Sequence, residues 1–170
     1  LHSPRLLNNV VEVAERVKEA ILKNQKICLS SDCDTDGVTS TAMLYNYLSQ
    51  FVEEENIHYV YNQRSNGHGV ENQIDFIPKD TELLIILDSS TNSVEACKEL
   101  SERGIDIIIL DHHTVERENP YALIVNPQGD NYPNKSISGA GVAFKTMQVI
   151  DELFDVDTAF NYVDRKSTRL

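Results

Sequence analysis

Leu83-Leu84-Ile85-Ile86-Leu87-Asp88 and Ile105-Asp106-Ile107-Ile108-Ile109-Leu110-Asp111 decide the fold. Both are apolar runs with almost no polar alternation, and both end on an aspartate. Runs of this kind mark strands buried on both faces, as in parallel sheets. Between them, Asn92–Glu102 reads as a helix, with Gly104 as its stop. A strand, a helix and a second buried strand make one βαβ unit.

The pattern extends in both directions. Leu6, Val10, Val13, Val17 and Ile21 recur at intervals of three and four, which predicts an amphipathic helix over about 6–23. Lys26–Ser31 reads as a short strand, followed by an acidic loop, Asp32–Gly37. Thr39–Phe51 reads as a helix and Ile57–Tyr61 as a strand. Asn62–Gly69 is polar and contains glycine, so it reads as a loop. Leu123–Val125 is a fifth short strand, and residues 139–154 form the last helix. Strands alternating with helices predict an α/β domain with a mostly parallel sheet of about five strands.

Bulk composition narrows the function. The chain has 170 residues, enough for one domain with one sizeable core. Its formal net charge of -12 argues against a general polyanion-binding surface. Bound divalent cations would reverse that sign locally where carboxylates converge. No apolar run reaches the ~20 residues of a membrane span, so no membrane partner is expected. The three cysteines, Cys28, Cys33 and Cys97, fit neither a disulfide framework nor a zinc knuckle, which points to a reduced, cytoplasmic setting. Arg165–Leu170 has no core pattern and reads as a frayed or appended tail, leaving 1–164 as the domain.

Chemistry collects at three strand ends: Asp32-Cys33-Asp34-Thr35-Asp36-Gly37, Asp88-Ser89-Ser90 and Asp111-His112-His113. Ligands of open parallel sheets bind beyond the carboxyl ends of the strands. The three clusters therefore fall on one edge, bringing about five carboxylates and two imidazoles together. Like charges that close raise one another's pKa and destabilise the fold, and divalent cations relieve this. Carboxylates with imidazole suit manganese, magnesium or zinc. A two-metal site activates water and stabilises both oxygens of an in-line phosphoryl displacement. Asp88 is the candidate bridge between the ions. Taken singly, each cluster also has a plain structural reading. Asp-rich loops cap helices, Asp88 fits a cap, and paired histidines occur on ordinary loops. An EF-hand fits poorly, because the twelfth loop position is Met43 where that motif has an acidic residue.

These residues resemble the DHH phosphoesterases. Asp111-His112-His113 is similar to the signature that names the family, and Asp32-x-Asp34-x-Asp36-Gly37 and Asp88 are similar to its first two motifs. The likeness is greatest to RecJ-type single-stranded-DNA exonucleases. It is carried by Ser138-Gly139-Ala140-Gly141-Val142-Ala143-Phe144-Lys145, by Arg64 with Gly67-His68-Gly69, and by Asn126-Pro127 and Tyr132-Pro133. It runs from about residue 10 to residue 164.

The resemblance implies a Rossmann-like DHH domain and a metal-dependent phosphodiesterase. By its terms the enzyme is a 5′→3′ single-stranded-DNA exonuclease using Mn2+ or Mg2+, with two ions in the complete enzyme. Asp34, Asp36, Asp88 and His112 would bind metal. His113 would contact the scissile phosphate, and Asp32 and Asp111 would orient ligands. Arg64 would hold a terminal phosphate. Gly139 and Gly141 would let a phosphate approach the backbone, though a tight loop before a helix explains them equally. Besides single-stranded DNA, DNA-repair or replication proteins would be its partners.

Three departures stand out. Ser30 occupies a position where the family often has His, Asp88-Ser89-Ser90 replaces Asp-Cys-Gly, and His68 replaces Tyr. The family's last metal-binding Asp is expected beyond Leu170 and its second domain is absent, so the resemblance implies weak or no activity for the fragment alone. The rival within the superfamily is an oligonucleotide or cyclic-dinucleotide phosphodiesterase, with pyrophosphatase behind it. Rivals from other classes are a non-catalytic DHH-fold replication or assembly protein, and a response-regulator-like domain holding one magnesium.

Overall fold

The computed structural model describes residues 2–62 and 67–162, and of Tyr162 the backbone alone. Arg64 and the 163–170 tail lie outside the described residues. Five strands form one all-parallel sheet: β1 (Ile27–Ser31), β2 (Ile57–Tyr61), β3 (Leu83–Leu87), β4 (Asp106–Leu110) and β5 (Leu123–Val125), in the order β2-β1-β3-β4-β5. The four α-helices are α1 (Val10–Leu22), α2 (Thr35–Leu48), α3 (Val94–Glu102) and α4 (Gly139–Phe154).

Burial explains the apolar runs. Every residue of β1 and β3 is buried. Alternate side chains divide between two cores. Leu29, Ile85, Leu87, Ile108 and Leu110 pack with α1, α2 and α4, while Cys28, Leu84, Ile86, Ile107 and Ile109 pack with α3 and the segment around Val70 and Ile77. No helix among the described residues is long and apolar enough to cross a membrane.

Two helix starts differ from expectation by four residues, both for polar reasons, while α2 ends at Leu48 rather than Phe51 and α3 begins at Val94 rather than Asn92. The apolar spacing predicts a first helix over 6–23, but α1 begins only at Val10. Asn9 adopts a left-handed backbone (φ 59°), and its side-chain amide donates to the Ile124 carbonyl at 2.8 Å, tying the entry of α1 to β5. The second helix is expected from Thr39, after an acidic loop. It begins at Thr35 instead, because the Asp34 carboxylate accepts from the backbone N–H of Asp36 and of Gly37, each at 2.9 Å. This is N-capping, and it places Asp36 in the first turn of α2.

The order of strands places the site. The chain leaves β1 for β2 on one side and then crosses to β3 on the other. The crevice beyond the carboxyl ends of β1 and β3 is therefore a topological switch point, where open α/β sheets bind ligands. The register pairs Ser31 with Leu87 and Leu87 with Leu110, so Asp32, Asp88 and Asp111 emerge level with one another.

Candidate metal centre

Asp88 stands at the middle of this edge. It is 1% exposed, and neither carboxylate oxygen has a hydrogen-bond partner. Its backbone is left-handed (φ 63°), as is that of Ser90 (φ 75°). Non-glycine residues in this region carry strain, and such strain clusters at functional sites. His112 Nε2 comes to 3.1 Å from Asp88 Oδ1 and 3.7 Å from Asp36 Oδ2, with the former contact off the hydrogen-bonding direction. Asp32, Asp34 and Asp88 each offer a carboxylate oxygen, and these atoms lie within 4.8 Å of one another. Asp88, His112 and His113 form another such group.

Electrostatics agrees with the geometry. Burial pushes the Asp88 carboxyl up to about 8, and the like charges of Asp36 and Asp34 add to it. Asp34 is lowered, first by the backbone hydrogen bond from Gly37. A buried carboxylate among carboxylates, with both oxygens free, is unfavourable in protein alone. Hard oxygen donors and one imidazole nitrogen around it suit Mn2+ or Mg2+, so the residues present fit such ions.

Asp36 is aimed from two sides. It sits in the first turn of α2, and its carboxylate accepts from Gly139 N–H at 2.7 Å and Ala140 N–H at 2.9 Å, in the first turn of α4. Gly139 also has a steric reason to be glycine. A Cβ there would lie 2.4 Å from Asp88 Oδ1. The Gly141 N–H is taken by Ser138 Oγ, the N-cap of α4. These amides, expected from the resemblance to meet a phosphate, are thus engaged within the chain, and Gly139 serves the placing of Asp36 and Asp88. Gly139→Ala should weaken Mn2+ binding by at least about tenfold, the scale seen when a residue supporting metal ligands is lost. Calorimetric titration of the variant measures this, and wild-type affinity would show that Asp88 need not approach α4 so closely.

Asp111 is a different kind of residue. It is 1% exposed and fully bonded. Oδ1 accepts from His112 N–H at 2.7 Å, His113 N–H at 3.2 Å and His113 Nδ1 at 2.7 Å. Oδ2 accepts from Thr91 N–H at 3.2 Å and Thr91 Oγ1 at 2.6 Å. Burial alone would raise its carboxyl, but the bonds from His113 and Thr91 prevail and bring it down to about 2. The same bond, donated to Asp111, pushes the His113 imidazole up to about 9, against a smaller opposing effect of burial. His113 is thereby oriented by Nδ1, as a carboxylate-held histidine is in many active sites.

The structure brings Asp32, Asp34, Asp36, Asp88, Asp111, His112, His113 and Gly139 to one edge, with Gly141 just behind them on α4. Arg64 is the one expected site residue outside the described residues. Ser30 points into the second core, where its hydroxyl donates to Gln73 Oε1 at 2.8 Å. Sequence reasoning missed Thr91 and Asn126. Asn126 Nδ2 bonds Thr91 Oγ1 at 2.9 Å and the His113 carbonyl at 3.0 Å, locking the loops after β3, β4 and β5 together. Asn126-Pro127 stands out in the sequence as a motif, but its task is not legible there.

The family model for the N-terminal domain of the DHH family matches residues 26–166. The chain belongs to the DHH family. YorK, a candidate single-strand DNA-specific exonuclease of the SPbeta prophage in Bacillus subtilis strain 168, is 37% identical over 159 residues, which is 93% of this chain and 27% of YorK. The single-stranded-DNA-specific exonuclease RecJ of the same bacterium is 33% identical over 165 residues, covering 91% of this chain and 21% of RecJ. This DHH chain thus spans about a quarter of the length of the curated relatives it matches. Among solved structures, a crystal structure of exonuclease RecJ bound to manganese matches with a TM-score of 0.84 at 27% identity, over 93% of this chain and 41% of that one. RecJ from Thermus thermophilus in complex with Mn2+ matches with a TM-score of 0.79 at 25% identity, over 93% and 23%.

Proposed function

We propose that this DHH domain is the metal-binding part of a phosphodiesterase that releases nucleotides from the 5′ end of single-stranded DNA. The single observation that carries the reading is Asp88, a buried carboxylate with both oxygens unpartnered at the meeting point of Asp34, Asp36 and His112. The likeness to RecJ and YorK supports the substrate class.

In this reading Asp34, Asp36, Asp88 and His112 would hold the Mn2+ or Mg2+ ions. Bound there, such ions would supply the Lewis acidity that activates water and draws charge off a scissile phosphate. The chain's own residues do the rest. The α4 amides fix Asp36 in direction. Asp111 holds the His113 ring through Nδ1, which leaves Nε2 to donate to a phosphate oxygen as charge develops. Asp32 would orient ligands from the same edge. Arg64 grips the terminal phosphate as a fork, which a lysine could not reproduce. Repair and recombination in the cytoplasm, alongside other DNA-processing proteins, is the setting that goes with this chemistry.

The test uses a protein carrying these residues with their natural flanks. A long 5′-phosphorylated single strand labelled at its 3′ end is incubated with Mn2+. The expected result is stepwise loss of mononucleotides from the 5′ end, stopped by chelation and slowed at least about 100-fold by His113→Ala. Cleavage of dinucleotides or cyclic dinucleotides with the long strand untouched would move the substrate to the rival class. No Mn2+-dependent hydrolysis of any of these would overturn the enzyme reading.

A further inference from the structure

Beside the carboxylate cluster lies a second set of donors with different chemistry. Asp32 leaves β1 with 1% exposure, and its Oδ2 lies 2.8 Å from His68 Nδ1, while Oδ1 has no hydrogen-bond partner. Cys33 Sγ lies 3.9 Å from the same His68 nitrogen. One donor atom from each of Asp32, Cys33 and His68 falls within 4.8 Å of the others. The three come from two segments, the β1–α2 turn and the loop before Val70. Asp32 and His68 open onto a cavity of about 500 Å³ that Asp88, Asp111 and His113 also line.

We propose that Asp32, shared with the carboxylate cluster, joins Cys33 and His68 in a second site for a soft divalent ion, selective for Zn2+ over Mn2+. Thiolate with imidazole selects zinc, while the neighbouring hard-oxygen cluster has no thiolate to compete for it. The spacing fits. Zinc bonds of ~2.0–2.3 Å in a tetrahedron separate ligand atoms by roughly 3.3–3.8 Å. The sulfur-to-nitrogen distance is already close to that. The carboxylate-to-imidazole distance must widen by a few tenths of an ångström, and His68 is free to do so, its side chain being 71% exposed. The other Asp32 oxygen, Oδ1, is buried without a hydrogen-bond partner, which is costly for a carboxylate. Binding releases the Cys33 thiol proton to solvent as the metal–sulfur bond forms. The fourth position is left for water.

Co2+ titration of this chain reads the site directly. The expected result is a thiolate-to-cobalt charge-transfer band that saturates at one equivalent, is discharged by Zn2+ and survives excess Mn2+. Cys28 and Cys97 are both 0% exposed, so neither supplies the sulfur. Cys33→Ser should abolish the band, and His68→Ala should weaken Co2+ affinity at least tenfold. Absence of the band, its persistence in Cys33→Ser, its loss to Mn2+ or full affinity in His68→Ala would each overturn the proposal. Should either variant fail to fold by circular dichroism, alkylation of the wild-type chain decides. Zn2+ should slow labelling of Cys33 at least tenfold, and an unchanged rate would overturn the site. None of these readouts depends on nuclease activity.

Discussion

Asp88→Asn is expected to cut Mn2+ affinity by more than about 100-fold, beyond the loss typical of residues that merely support ligands, while making the metal-free chain more stable. The two effects have one cause. Asp88 is buried, unpartnered and surrounded by like charge. The sign follows from linkage. Its carboxyl rises from 3.8 unfolded to about 8 folded. The stability it contributes is therefore fully present below about pH 4 and is lost as pH rises through 8. At pH 7–8 the wild type bears most of that loss and a neutral asparagine does not. Asparagine still buries polar atoms, so the net gain is about 2 kcal/mol, or roughly 4–8 °C of Tm. Thermal unfolding in chelator, at pH 5 and pH 8, checks both parts. The gap between the proteins should widen toward pH 8. A variant that melts lower than wild type at pH 8 would contradict the strained-carboxylate reading.

Asp111→Ala should do the reverse and destabilise strongly. The carboxylate is the shared acceptor of five donors from Thr91, His112 and His113. Its removal leaves those groups buried or misdirected, at a cost of about 3–5 kcal/mol, the range for breaking a buried charged network. For a chain of this size that is roughly 6–20 °C of Tm. His113 provides a second readout. Its pKa is held up at about 9 chiefly by the hydrogen bond to Asp111. Without that bond it should fall toward 6.5, which imidazole resonances followed by NMR against pH would show. An unchanged His113 titration would mean that Asp111 does not orient the ring.

Some of this is legible in the chain and some is not, for physical reasons. The runs ending at Leu87 and Leu110 announce doubly buried strands, because a parallel sheet covered on both faces has no use for alternation. The acidic and imidazole residues directly after them follow from the sheet's polarity. The start of α2 escapes a reading based on apolar spacing, because the helix is set by Asp34 capping its first turn. The two roles of Gly139 are invisible in sequence, since its backbone bond and its steric constraint both come from residues far away in the chain. Thr91 and Asn126 carry no periodic signal at all. His68 is legible only as a departure from a tyrosine, and its contact with Asp32 needs the fold.

The most direct measurement is anomalous diffraction at the manganese edge from crystals of this chain grown with Mn2+. The expected result is a peak at bonding distance from an Asp88 oxygen and His112 Nε2, with Asp34 or Asp36 completing the same shell. Manganese found only elsewhere, or those four side chains turned away from any common ion, would contradict a shared metal centre.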